Sequence, residues 1–259
     1  MGDQFHSELV PLQGFGNVDA VPQQLEYNLT GRPAFAIVNV FLRGQQRVLA
    51  SAGKMQWMDS GLQVETSCPD GACGRCLAKE TLCMNTFNGI GGITFGLKEP
   101  GDILPFAVGP GNGWIVSHTT FVCGTDNIKV SAAFPGCMMA CCGGEGFFLT
   151  HVSMKNHGES GMFFAGGYGE IIRHDIPAGK TMYIDNGLFF AVHESTKFEI
   201  GILNLKTCLF GQQGFIMKFH GPCALFTQSR DPRIFRQCQR GPPGRSRRAG
   251  AAAAAGGIQ

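Results

Sequence analysis

Residues 43–66, "RGQQRVLASAGKMQWMDSGLQVET", contain short apolar runs that follow one another between turns with glycine, and this pattern indicates the fold class. In "RVLASAGKMQWM" (47–58) and "LQVET" (62–66), apolar and polar residues alternate for most of the length, which is the period of a strand with one buried face. Gly44 and Gly61 supply the permissive backbone that tight turns need. The stretch predicts antiparallel strands joined by short turns.

The same order of turn, strand, turn and strand recurs at 100–132 and 178–202. A lead-in segment precedes each of the three copies, and a fourth lead-in at 214–230 closes the pattern. Repeated antiparallel modules of this size form sandwiches or β-helical barrels, which hide strand edges by closure or association. We expect an all-β fold of tandem modules, with no helix except a short one around Cys76 to Thr81. Further strands are predicted at 34–42, 113–123, 128–132, 180–185 and 197–203.

Composition and charge divide the chain into three parts. The 259 residues include 38 glycines and only 15% charged residues, which suits a β protein with many turns. Residues 230–259 hold seven arginines against Asp231, a charge of +6, so the rest of the chain carries −4 of the total of +2. We predict an N-terminal arm at 1–23, a tandem β-barrel domain at 24–232, and a disordered basic tail rich in proline, arginine and alanine at 233–259.

The sequence carries no recognisable targeting segment. The N-terminus "MGDQFHSELVPLQGFG" has no apolar signal core, and its lack of arginine before Arg32 makes it a poor mitochondrial presequence. No apolar run reaches the roughly 18 residues that a membrane helix needs. The eleven cysteines favour free thiols in a reducing compartment. These features predict a soluble, cytoplasmic protein, with a mitochondrial location as the alternative.

Eight stretches, in order along the chain from about Gln24 to Pro232, resemble the altered-inheritance-of-mitochondria protein 24 family. They are "QLEYNLTG", "SAGKMQWMDSGLQVET", "ETLCMNTFNGIGG", "EPGDILPF", "GGEGFFL", "GGYGEI", "DNGLFF" and "FHGPCALFTQSR". The resemblance implies a tandemly duplicated, short double-stranded β-helix, similar to the subunit of the tryptophan RNA-binding attenuation protein. It also implies homo-oligomers and, in eukaryotes, a link to mitochondrial inner-membrane organisation. It supplies no catalytic residues. The basic tail and the cysteines between Thr66 and Thr81 depart from the family pattern.

The loop "SCPDGACGRC" (67–76) places Cys68, Cys73 and Cys76 at the C-x4-C-x2-C spacing of plant-type two-iron ferredoxins. That cluster needs a fourth thiolate some thirty residues further on, a place that no cysteine occupies. Cys83 could complete a tetrahedral zinc site, although the segment has only one C-x2-C pair. We interpret the loop as exposed with incidental thiols, and leave open whether these four cysteines bind zinc.

Histidines offer one candidate metal site. His157 and Glu159 form an H-x-E pair, with His193 or His220 downstream, as iron oxygenases of the double-stranded β-helix type require. Their setting, "KNHGESG", is typical of a solvent-exposed turn, and we favour that interpretation. We interpret "GGEGFF" (143–148) as a glycine turn into a strand, and "CMMACC" (137–142) as apolar packing.

These observations assign no catalytic, cofactor-binding or metal-binding residues. We expect a non-enzymatic, oligomeric β scaffold, with a trimer favoured and with peripheral contacts to a membrane or a protein assembly. The alternative is a small-molecule or metal-binding β-barrel module. The mildly acidic body argues against nucleic acid as a partner, and only the tail could contact acidic lipid headgroups.

Overall fold

The computed structural model describes residues 25–67, 83–133, 149–201 and 216–232, and the regular structure of these residues consists of seventeen β-strands. This confirms the all-β, sandwich-like class. The strands are β1 (Glu26–Thr30), β2 (Ile37–Ser51), β3 (Met55–Met58), β4 (Leu62–Ser67), β5 (Met84–Gly96), β6 (Gly101–Val108), β7 (Trp114–Ser117), β8 (Phe121–Thr125), β9 (Ile128–Ala133), β10 (Leu149–Met154), β11 (Gly161–Tyr168), β12 (Ile171–Ile176), β13 (Thr181–Asp185), β14 (Phe189–His193), β15 (Phe198–Gly201), β16 (Ile216–His220) and β17 (Cys223–Gln228).

The strands form three antiparallel sheets. The largest has eight strands in the order β3-β5-β2-β8-β11-β6, with β1 also paired to β2 and β4 also paired to β5. The second has six strands in the order β12-β17-β14-β7-β10-β9, and the third has three in the order β13-β16-β15. Sequence neighbours such as β7 and β8 lie in different sheets, so the chain crosses repeatedly between layers.

Three clusters of buried apolar side chains hold the sheets together. The first lies against the eight-stranded sheet and includes Val38, Val40 and Phe95. The second joins side chains of the eight-stranded and six-stranded sheets, and the third joins the six-stranded and three-stranded sheets. In β2 the alternation is strict from Ile37 to Leu42: even-numbered residues are buried, and Asn39 and Phe41 point the other way. One face of this ribbon is therefore core, and the other faces solvent.

Two predicted strand boundaries are wrong. The predicted strand 47–58 breaks after Ser51, where Gly53 has φ +78°, and its first part continues the strand predicted at 34–42. β2 is long because it pairs along most of its length with β5. The predicted strand 113–123 is divided by a turn in which Thr120 N–H donates to Ser117 O at 3.0 Å. Sequence alternation continues through both turns and therefore conceals them.

The three sequence copies fall on β2–β4, β6–β9 and β13–β15. The strands of the first copy lie in one sheet, whereas those of the second and third copies are divided between sheets, so a tandem double-stranded β-helix stays a prediction. The arm at 1–23 and the tail at 233–259 lie outside the described residues, as does the segment 134–148 with "CMMACC" and "GGEGFF". Within the described ranges, no helix is long and apolar enough to cross a membrane.

Candidate functional site

An open groove of about 350 Å³ crosses the solvent-facing side of the eight-stranded sheet. Strand register places its side chains in rows. Asn28 of β1 lies opposite Asn39 of β2, Asn39 lies opposite Thr94 of β5, and Thr94 lies opposite Trp57 of β3. We call this site the Trp57 groove, defined by the lining residues Glu26, Asn28, Asn39, Phe41, Trp57, Asp59, Gly92 and Thr94.

Two aromatic side chains that line the groove are exposed to solvent. Trp57 is 55% exposed and Phe41 is 42% exposed, whereas Trp114, the other tryptophan of the chain, is 4% exposed. Burying large aromatic surface is favourable, so rings left this accessible are a cost to the isolated chain. The groove therefore offers two apolar surfaces to a ligand.

The polar side chains of the groove are only partly satisfied by the protein. Thr94 Oγ1 donates to Asn39 Oδ1 at 2.6 Å, and Gly92 N–H donates to Asp59 Oδ2 at 2.7 Å. Among the described residues, no hydrogen bond engages the Asn28 amide, the Asn39 Nδ2 group, the Asp59 Oδ1 atom or the Trp57 indole N–H. Donors and acceptors are thus both present and unused.

Arg43 contacts two residues that line the groove, Glu26 and Phe41. Its Nε donates to Glu26 Oε2 at 2.9 Å, and its guanidinium carbon lies 5.8 Å from the centre of the Phe41 ring. The ion pair is exposed and contributes little to stability. Its effect is local: Arg43 neutralises the Glu26 carboxylate and makes a cation–π contact with Phe41.

The floor of the groove is open at Gly92. A Cβ placed on Gly92 would meet only Asp59 Oδ2, at 3.5 Å, which is an ordinary contact. A larger residue at this position would therefore extend into the groove without displacing the backbone. The absence of a side chain here is what gives the groove its depth between Phe41 and Trp57.

A second polar cluster lies under Trp114, at the end of β14. The backbone N–H of Ser195 donates to His193 Nδ1 at 3.2 Å, so this nitrogen carries no hydrogen and the Nε2–H group donates to Asn112 Oδ1 at 2.6 Å. The Ser195 hydroxyl also reaches Nδ1, at 2.7 Å. Burial lowers the pKa of His193, although the nearby Glu194 carboxylate opposes that shift. The imidazole is neutral and closes a turn.

Glu194 joins three strands beside this turn. Its Oε1 accepts from Gly113 N–H at 2.8 Å, and its Oε2 accepts from His151 Nε2–H at 2.6 Å. Burial alone would raise the pKa of Glu194, but the hydrogen bonds from Gly113 and His151 outweigh it and hold that pKa below its usual range. The carboxylate stays ionised and clamps the start of β7 and the middle of β10 to the end of β14.

The candidate iron ligands are not brought together. His157 is exposed in a turn, where Asn156 Nδ2 donates to Glu159 Oε1 at 2.9 Å. His193 is buried, and His220 pairs with Glu199 at 3.2 Å on the exposed face of the three-stranded sheet. The parts of the chain that the structure describes contain no group of three or more histidine, cysteine, aspartate or glutamate side chains placed to hold a metal ion.

The expectation of free thiols holds for some of the described cysteines but not for all of them. Cys123 and Cys223 are free, and burial raises the pKa of both thiols. Cys83 is disulfide-bonded, so free thiols throughout is wrong for this residue, and in this state it has no thiolate to offer zinc. Cys68, Cys73 and Cys76 lie outside the described residues.

Sequence reasoning missed the Trp57 groove, although one signal was visible. Asn39 interrupts the otherwise apolar run "AFAIVNVFL", and a polar residue at that position of a strand marks the face turned to solvent. The other members are separated by up to sixty-eight positions in sequence (Glu26 to Thr94) and meet only through strand pairing.

Comparisons with known proteins agree with this architecture. The X-ray crystal structure of a protein from Streptococcus pyogenes is similar, with a TM-score of 0.67 and 19% sequence identity over 84% of this chain and 99% of that chain. At this identity the likeness shows the fold alone. A search of curated proteins gives no significant match. The family model described as mitochondrial biogenesis AIM24 matches residues 27–230. The chain therefore belongs to the mitochondrial biogenesis AIM24 family.

Proposed function

We propose that this protein is a non-enzymatic, homo-oligomeric β scaffold that serves mitochondrial biogenesis by organising a membrane or a protein assembly. Family membership supports the mitochondrial relation. Support for a scaffold comes from the protein surface, where one sheet edge offers unpaired backbone groups and exposed apolar side chains. A second copy of the chain can satisfy both.

The observation that carries this proposal is the edge strand β4. It pairs with β5 from Leu62 to Ser67, and within the described residues no strand pairs with its other side. Every residue after Leu62 is exposed, and Val64 is 46% exposed. The strand has one charged residue, Glu65, and Arg47 neutralises it at 3.4 Å. A long edge with so little charge is a template for pairing with another chain.

The edge strand β12 carries more charge than β4. It presents Arg173 and Asp175, both exposed. Charged side chains on an edge discourage the approach of a second strand. The contrast with β12 supports β4 as the surface that we propose for assembly. In a closed trimer, β4 of each subunit would meet a different surface of the next subunit, as a ring requires.

Light scattering on the full chain and two lysine variants tests the assembly. Val64→Lys places a charge on the β4 edge, and the matched control Ile172→Lys places the same charge on β12, where Ile172 is 40% exposed. We expect the wild type and Ile172→Lys to give about three times the subunit mass of 27.8 kDa, and Val64→Lys to give a smaller mass with an unchanged melting temperature. A folded Val64→Lys variant with the wild-type mass would refute this edge.

A second candidate function, a small-molecule binding module, is favoured by the Trp57 groove. Its volume of about 350 Å³ falls within the range of ligand sites, and its mixture of exposed rings and unused polar groups is typical of them. The groove lies on one face of the eight-stranded sheet, whereas β4 lies at an edge of that sheet. One protein can therefore use both surfaces.

A further inference from the structure

We propose that the Trp57 groove binds a short, neutral carbohydrate chain. This inference rests on the second candidate function above and names its ligand class. Sugars combine two chemical features: weakly polar C–H faces that pack on aromatic rings, and many hydroxyl groups that both donate and accept hydrogen bonds. The Trp57 groove offers a counterpart to each.

The rings provide the surface for stacking. Trp57 is 55% exposed at the β3 side of the groove, and Phe41 is 42% exposed on β2. Between them lies Gly92, which leaves the floor open where a pyranose ring would sit. Contact with such rings removes apolar surface of both partners from water. The cation–π contact with the Arg43 guanidinium favours one position of the Phe41 ring, which lowers the ordering cost when a ligand binds.

The polar groups provide the hydrogen bonds. Asn28 offers a free amide, with one acceptor and a donor group, and Asn39 offers its Nδ2 donor group. Asp59 Oδ2 is occupied by Gly92 N–H, which fixes the carboxylate and leaves Oδ1 to accept from a hydroxyl. Planar amides and carboxylates can engage neighbouring hydroxyl groups in pairs. The unused groups thus match a ligand rich in O–H.

Length and charge narrow the ligand class. From Asn28 on β1 to Trp57 on β3 the row crosses three strand spacings, roughly 14 Å, which suits an oligosaccharide better than a single sugar. Glu26 is neutralised by Arg43, and Asp59 is the remaining charge in the lining. An uncompensated carboxylate repels phosphates and acidic sugars. A neutral chain is therefore favoured.

Binding is tested on the full chain with a printed array of neutral and acidic oligosaccharides, followed by calorimetric titration with cellotriose, maltotriose and chitotriose. We expect binding to neutral glycans, with affinity reduced about tenfold or more by Trp57→Ala and by Gly92→Val. The Gly92→Val side chain would fill the floor without a backbone clash. Val64→Lys, on the β4 edge, is the control and should bind as the wild type does.

The outcomes separate this inference from the proposed assembly. Binding of the free trisaccharides indicates a soluble sugar as ligand, and binding of array-linked glycans alone indicates a glycoconjugate; either supports the inference. Absence of binding to every probe would overturn it, as would equal binding by folded Trp57→Ala and Gly92→Val variants. Light scattering on the same samples reports assembly independently, so failure of one claim leaves the other measurable.

Discussion

Gly101 and Gly167 lie so close that a Cβ on Gly101 would overlap the backbone carbonyl oxygen of Gly167. The contact is on the antiparallel pair β6–β11, and Gly101 O also accepts from Ala36 N–H at 2.9 Å. Three segments of backbone therefore meet at a point where no side chain fits. This junction joins the loop before β2 to the far edge of the eight-stranded sheet.

Replacing Gly101 by alanine should destabilise the fold. Because the obstacle is backbone rather than a flexible side chain, we expect a loss of about 3 kcal/mol and a fall of roughly 10 °C in Tm. Gly201→Ala is the matched control, since a Cβ there meets nothing within 4 Å and its effect should be under about 0.5 kcal/mol. Thermal unfolding of both variants measures the difference. Equal Tm values would show that the junction is looser than described.

Replacing Arg32 by alanine should lower the free energy of unfolding, because the buried Asp102 carboxylate then loses its charged partner. Arg32 Nε and Nη2 donate to the two oxygens of Asp102 at 2.7 and 2.9 Å, and the Asp102 side chain is 5% exposed. Hydrogen bonding to Asp102 raises the pKa of Arg32. Among the described residues, Arg32→Ala leaves the carboxylate with the Ile103 N–H as its one hydrogen-bond donor, at a cost of about 3 kcal/mol in urea unfolding.

The double variant Arg32→Ala/Asp102→Asn is the control for that prediction. It removes the buried charge along with its partner, so it should be more stable than Arg32→Ala alone. If the double variant is the less stable of the two, Arg32 acts through packing of its side chain rather than by compensating Asp102.

Stability should fall in mild acid because of His193. Burial lowers the pKa of His193 from 6.5, so the folded state binds fewer protons than the unfolded state as pH falls below that value. The contribution of His193 to the free energy of unfolding is therefore complete above about pH 6.5. It is lost as the pH falls from the pKa of His193 in the unfolded state towards its lower pKa in the folded state. Between about pH 7.5 and pH 5.5, the wild type should lose more unfolding free energy than His193→Gln. Parallel losses would mean that another group titrates.

Quenching of tryptophan fluorescence should report the Trp57 groove directly. Trp57 is 55% exposed and Trp114 is 4% exposed, so acrylamide should quench one component of the emission and leave the other. Trp57→Phe should remove the accessible component, and Trp114→Phe should remove the protected one. Uniform quenching of both indoles in the folded wild type would contradict the exposures on which the groove depends.

Sequence alternation was sufficient to predict strands and the all-β class, because a period of two residues survives in β2, β13 and β15. Alternation was not sufficient to predict which sheet each strand joins. Whether β8 pairs with β2 or with β7 depends on contacts between distant segments, and the predicted strand 113–123 hides the change of sheet at Thr120. Turns with few glycines, such as Ser117–Thr120, leave little signal.

The candidate site was less predictable than the fold. His157-x-Glu159 is the kind of motif that suggests metal binding in a sequence, yet the structure places His157 in an exposed turn, away from His193 and His220. The groove includes two asparagines, a tryptophan and a glycine that belong to no chemistry-bearing motif, and the register of four strands aligns them. Periodicity predicts which face a residue occupies, but not its neighbours on that face.

Native mass spectrometry of the full chain under reducing conditions is the most direct test of assembly. One spectrum reports the number of subunits and any retained metal or ligand. We predict a closed trimer of about three times 27.8 kDa, reduced to the single-subunit mass in Val64→Lys. A single species of 27.8 kDa for the wild type, persisting at micromolar concentration, would contradict the scaffold.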